Sequence, residues 1–497
     1  MRIISSSILA IAFCFAGLVS AHADETPPPP RKSIKSLTPT ELMSLRRGVA
    51  KMMARNGAPR GSADWRRSWV YWANMHQHFG DDCGGPISGQ GMAGVQAFTA
   101  TDAAETATWC MCEHGTNQFL TWHRMYLWYF ERVLQEAAGD TSLRLPYWDY
   151  ESDASLPQAY RDATYVNETG ATVPNPLRVA ARQPGLNNGT SSLAAAVVST
   201  SNAMRNASFD DFGGALEDTP HGAVHCAIVT RGCPNGLMGS IPVSALDPIF
   251  YAHHTNIDRL YDCWLQVDPN GRLPNDAGQR DAAFSFVDGD GSVVTRRVGD
   301  MLTAAGLGYS YASGGGCPPA AQPIAAAAAG HAQSIEGSVQ TLASAGPTRL
   351  SGVKTNVPLT VSGRQSLAPP HGAAAPTTRV DAVIDGLRYE KAPGALFNVY
   401  LQGPGNARVL IGVINFFGVA PAGEAEHAKA RHAMSRKSVR FDVTDALRQL
   451  NLSADKAPSL VFEATTGLTG STPEGVAAAL NPQANVQFDS ARLVGRP

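Results

Sequence analysis

Charge is sparse in this chain: Asp, Glu, Lys and Arg make up 16% of 497 residues, with a formal net charge of -2. That excludes a basic footprint for nucleic acid and a polybasic stripe for anionic lipid, so neither partner is expected. No apolar run is suited to span a bilayer. The first residues, MRIISSSILAIAFCFAGLVSAHA, combine a basic start at Arg2, an apolar run to Val19 and small residues at Ala21 and Ala23. They read as a secretory signal peptide over 1–23, with no integral membrane span behind it. No twin arginine precedes the run, so the chain is expected to be exported unfolded, to a bacterial periplasm or the exterior, and to take up any metal there. The HExxH pattern of many zinc hydrolases is also missing, since Gly222 follows His221.

Cysteine is scarce, and its count is odd. Loss of Cys14 with the leader leaves Cys83, Cys110, Cys112, Cys226, Cys233, Cys263 and Cys317. In an oxidising compartment one sulfur is left over for another task. Any six of the seven allow fifteen connectivities, and the pairing expected includes Cys226 with Cys233 and Cys263 with Cys317.

Histidine is abundant where it matters. The stretch Asp247 to Trp264, DPIFYAHHTNIDRLYDCW, places His253 and His254 ahead of Asp258 and Arg259. Ile257, Leu260, Tyr261 and Trp264 recur at the spacing of a buried helical stripe. A lone histidine there would be a core residue bonded to a carbonyl. Upstream, however, His221 and His225 form an i, i+4 pair on one helical face, and His76, His114 and His123 precede them. His76 and His78 are two apart, so only one can face a metal. His114 lies in a loop nine residues before His123, and the two converge only if that loop bends back. Six rings sort into two sets of three. All-nitrogen ligation without a carboxylate tilts the choice toward copper.

These residues resemble the type 3 copper proteins, specifically the tyrosinases and polyphenol oxidases. The family's copper A pattern matches His76, His114 and Trp122-His123-Arg124 running on to Glu131. Its copper B pattern matches His221, His225 and the second histidine of DPxFxxHHxxxDR, His254. LPYWDY at Leu145 to Tyr150 also fits, and the likeness spans roughly residues 35 to 320. It implies two copper ions as cofactors, dioxygen as co-substrate and small phenols as substrates.

Finer features follow from the same resemblance. Cys112-Glu-His114 matches an arrangement in which the sulfur is joined to the ligand imidazole; the alternative is a disulfide, with Cys83 as a candidate partner. Glu217 matches a carboxylate that positions a water near copper B; the alternative is a helix-start acid. Ile241 falls where the family places a residue over the site. Asp258 is expected to accept an N–H from a ligand histidine, while Phe250 and His253 pack around the site without ligating. Gly222 stands where strong monophenol hydroxylases of the family have Asn, which weakens the case for efficient hydroxylation.

The fold class expected is α+β and multidomain: a mainly α-helical dicopper bundle over 24–313, a linker rich in Ala, Pro and Gly over 314–346, and a C-terminal β-sandwich over 347–497. Short strands are read at 357–361, 378–384, 397–402, 409–417, 438–443, 460–464 and 486–494, the first an edge strand because it contains Pro358. The second domain resembles one that covers the copper site, with His427, His432 and Met434 as candidates to reach it. The function expected is oxidation of o-diphenols to o-quinones, with ortho-hydroxylation of monophenols in addition. The alternative is a dioxygen carrier like the haemocyanins.

Overall fold

Thr38 opens the first long helix by a reciprocal cap: its hydroxyl accepts from the Glu41 N–H, and the Glu41 carboxylate accepts from the Thr38 N–H. In this computed structural model, residues 28–77, 95–96, 98–109, 111–317, 340–362, 379–424, 434–452 and 457–496 are described. The signal-peptide reading, His78, Cys83, Cys110, His427 and His432 lie outside them.

Six helices position the site: α1 Pro39–Ala54, α2 Trp69–His76, α3 Phe119–Ala138, α4 Phe209–Leu216, α5 Ala223–Ile228 and α6 Ile249–Val267. Helix α2 starts at Trp69 because the Ser68 hydroxyl accepts from the Tyr71 N–H. Helix α1 lies close on α3: a Cβ on Gly48 would come within 2.8 Å of the Leu134 side chain. Helices α3 and α6 are buried over most of their length. Side chains such as Trp122, Tyr126 and Phe130 each contribute about 1.5–3 kcal/mol by leaving water.

Beneath the two histidine-bearing helices lies a buried ionic cluster. Arg124 Nε donates to Asp258 Oδ1 at 2.6 Å, and the Tyr309 and Tyr311 hydroxyls donate to Oδ2 at 2.6 and 2.5 Å. Arg31, from the start of the described chain, bonds Glu131 at 2.9 Å and reaches Asp258 at 3.5 Å. Burial alone would raise the Asp258 carboxyl, but Arg124 and Arg31 outweigh it and hold it below its usual range. The cluster ties α3, α6 and both ends of the helical domain together.

Beyond the helices, two antiparallel sheets form the expected sandwich. In chain order the strands are β1 Gln340–Ala345, β2 Lys354–Pro358, β3 Thr360–Val361, β4 Arg379–Leu387, β5 Leu396–Gln402, β6 Arg408–Ile414, β7 Lys437–Asp442, β8 Ser459–Thr465 and β9 Ser490–Arg496. One sheet has the order β6-β5-β8-β2, the other β7-β4-β9-β1-β3. Strand β2 is an edge, as Pro358 requires. Strand β1 corrects the linker boundary: the small, half-polar run QTLASA looked like a continuation of the Ala-rich stretch, yet it pairs with β9 along its length. Backbone pairing of Leu193 with Leu468, and a 2.8 Å bond from the Ala194 N–H to the Gly467 carbonyl, join the sandwich to the helical domain.

Candidate metal centre

His76 ends α2, His114 sits in the loop before α3, and His123 lies in the second turn of α3. Their ring centroids are 5.1, 5.2 and 5.5 Å apart. His221 precedes α5, His225 lies on it and His254 is on α6, with centroids 4.7, 5.0 and 5.4 Å apart. The two triads face each other. His123 and His254 stack at 4.6 Å, and His114 and His221 at 5.8 Å. The separation of nine residues between His114 and His123 closes because the loop folds back over the helix.

Backbone carbonyls set the ring orientations. The Nδ1 atoms of His76, His123, His221 and His225 lie 3.2, 2.7, 3.0 and 2.6 Å from the carbonyls of Ile241, Phe119, Glu217 and Met238. A carbonyl accepts only, so each Nδ1 carries the proton and each Nε2 keeps its lone pair. This corrects the role expected of Asp258, whose oxygens are spent on arginine and tyrosine. No sequence signal marks the true acceptors, because every residue has a carbonyl.

Burial keeps these rings neutral. It pushes His123 and His225 down to about 3, and holds His221, His253 and His254 well below the usual histidine range. Four residues in each half, His76, Cys112, His114 and His123, then His221, His225, His253 and His254, offer ligand atoms within 4.8 Å of one another. His221 Nε2 is buried without a hydrogen-bond partner, and His225 Nε2 faces His254 Nε2 at 3.2 Å. Lone pairs converging in a dry site fit a cation on each triad.

The neighbours fall as follows. Cys112 is buried, in no disulfide, and its Sγ is 3.3 Å from His114 Nδ1, which removes the disulfide alternative. The two expected disulfides, Cys226–Cys233 and Cys263–Cys317, are present. Phe250 packs on His76 at 4.6 Å and on His254 at 4.0 Å, while His253 stacks on His221 at 5.6 Å. The Glu217 carboxylate accepts from the Gly115 N–H at 2.7 Å, and burial pushes its carboxyl up to about 8. Ile241 turns its side chain toward Gly418 of the second domain.

A cavity of about 340 Å³ opens beside the histidines, lined among others by His114, Glu217, Phe417, Met434 and Lys437. Phe417 was read in the sequence only as the end of a strand. It follows β6, and its ring lies flat on His225 at 4.0 Å and edge-on to His221 at 5.3 Å.

Residues 66–188 and 178–267 match the model of the common central domain of tyrosinase. Over residues 66–267 the chain is similar to the type 3 copper tyrosinases and polyphenol oxidases. Tyrosinase HcTyr1 of Hahella sp. (strain CCB-MM4) is 30% identical over 318 residues, which are 56% of this chain and 62% of that protein. Chloroplastic polyphenol oxidase II of Ipomoea batatas is 30% identical over 230 residues, 40% of this chain and 39% of that protein. The chain thus spans less than two thirds of either relative. Latent aurone synthase, a polyphenol oxidase of solved structure, shares the fold with a TM-score of 0.60 at 16% identity, covering 96% of this chain and 91% of that chain. The two buried histidine groups suit a pair of copper ions as cofactor. No helix among the described residues is long and apolar enough to cross a membrane.

Proposed function

We propose that this protein oxidises o-diphenols to o-quinones at the expense of dioxygen. The observation that carries the reading is the pair of buried imidazole triads facing each other across 4.6 Å at His123 and His254. His76, His114 and His123 hold one copper, and His221, His225 and His254 hold the other. When bound, the copper pair would relay electrons to dioxygen, two from each o-diphenol, so that two o-diphenols are oxidised for each dioxygen reduced to two waters. The chain does the rest: carbonyls fix the tautomers, burial keeps the rings uncharged, and Phe250 and His253 wedge the ligands in place. Cys112 is joined through sulfur to the His114 ring, which uses the odd thiol.

Monophenol hydroxylation is the weaker activity of this site. Glu217, at about 8, is protonated at neutral pH and a poor base for a phenol, and Gly222 brings no carboxamide to help it. The C-terminal domain shields the site, with Phe417 occupying the face of His225 where a substrate ring would stack. Export through the N-terminal leader delivers the chain to an oxidising compartment, as the two disulfides among the described residues require.

Darkening of a catechol or L-DOPA solution by the copper-loaded protein, with and without mild detergent, tests the activity. Phe417 also favours a second reading, a dioxygen carrier with its site closed to phenols. Reversible dioxygen uptake without catechol turnover, even after the C-terminal domain has been displaced, would favour the carrier and sink the oxidase.

A further inference from the structure

The sandwich grips the copper B helix at one small polar contact, directly opposite the glycine of the second histidine motif. Asn415 is fully buried. Its Nδ2 donates to the Asp218 carbonyl at 2.8 Å and to Asp218 Oδ1 at 3.0 Å. Its Oδ1 accepts from Lys437 Nζ at 3.0 Å and from the Phe417 N–H at 3.1 Å. Lys437 completes the ring by pairing with Asp218 at 2.5 Å. A Cβ built on Gly222 would lie 2.7 Å from Asn415 Oδ1, closer than real Cβ contacts allow. Glycine therefore leaves the notch into which the carboxamide fits.

Magnitudes single this contact out. The other ion pairs between the domains among the described residues, Arg205 with Asp442 and Asp445 and Arg440 and Arg496 with Asp211, have arginine side chains 29–45% exposed, and pairs of that kind stabilise little. The Asn415 group is dry and charge-assisted, so each of its bonds counts for more. Asn415 also fixes the Phe417 backbone directly, two residues away, so any shift of the carboxamide moves the ring that covers His225.

We propose that Asn415, seated over Gly222 and clamped between Asp218 and Lys437, is the lock that holds Phe417 on the histidines. Gly222 then serves domain closure as well as substrate chemistry. The inference rests on the reading of Phe417 as a cover. It also implies that Gly222→Asn, the obvious change to strengthen monophenol hydroxylation, displaces Asn415 and loosens the cover.

The test uses the full-length, copper-loaded chain and three variants: Asn415→Ala, Gly222→Ala and the double change. Amide hydrogen exchange by mass spectrometry follows residues 217–228 and 413–419, and oxidation of a small o-diphenol is read without detergent or protease. Each single change should speed exchange in both segments and raise turnover about tenfold by enlarging the open population. The double variant should do no more than the stronger single, because both changes break one contact. Asp218→Asn, which keeps the side-chain shape, should give a smaller opening even if an alanine variant folds poorly. Faster exchange with no oxidation in any variant would support the lock while counting against the oxidase. Unchanged exchange in Asn415→Ala and Asp218→Asn, or additive effects in the double variant, would overturn the lock whatever the activity.

Discussion

On the proposed assignment His254→Ala removes a ligand of the second triad, and copper per chain should fall from two to one while o-diphenol oxidation drops to background. His253→Ala removes only a ring stacked on His221, so copper should be retained and activity reduced about 10–100-fold, as for groups that orient ligands. Retention of both ions in the first variant and loss of one in the second would exchange the two assignments. If Cys112 is joined to His114, the tryptic peptide carrying both is short by two hydrogens and resists alkylation in denaturant; a thiol that alkylates freely would refute the link. The six histidines that converge were legible in the sequence from the i, i+4 spacing of His221 and His225 and from the resemblance carried by the other motifs. The groups that orient them were not. Their acceptors are main-chain carbonyls, and the partners of Asp258 come from positions as distant as Arg31 and Tyr311.

Helices α3 and α6 meet over the Arg124–Asp258 pair, and that junction sets how the elements respond to change. Asp258→Asn leaves the buried Arg124 without its counter-charge and Arg31 with Glu131 alone, and should cost about 3–5 kcal/mol of stability, read as a lower urea midpoint. The same helices carry buried neutral histidines, whose folded values near 3 for His123 and His225 lie below the ordinary value of about 6.5. Between those limits the unfolded chain binds protons that the folded one refuses, so stability should fall as pH drops from about 6.5 toward 3. A metal-free sample with the same urea midpoint at pH 5 and pH 7.5 would contradict that. Among the strands, alternation of β-branched residues made most of the sandwich readable. The first strand, Gln340–Ala345, was hidden because its small residues carry almost no pattern, and it is held by pairing with β9.

At the scale of the whole molecule, the sandwich sets Phe417 against His225 and His221 of the helical domain. Phe417→Ala keeps every ligand and should raise o-diphenol turnover by about tenfold, with detergent adding little further. Equal activity before and after the substitution would mean that the domain only stabilises the fold. The two-domain layout was legible from composition, but the residue that packs on His225 was not. Phe417 follows a strand whose alternation accounts for an apolar residue at that point, and only the packing of one domain on the other shows where its ring goes.

The central claim is that two sets of three imidazoles hold a close pair of copper ions. X-ray absorption at the copper edge, on protein of measured metal content, tests it most directly. The account predicts two coppers per chain, each in an all-nitrogen shell of three imidazoles, with a copper–copper separation of about 3.5–4 Å typical of paired sites. One copper per chain, a sulfur ligand from Cys112, or no metal–metal scattering would contradict it.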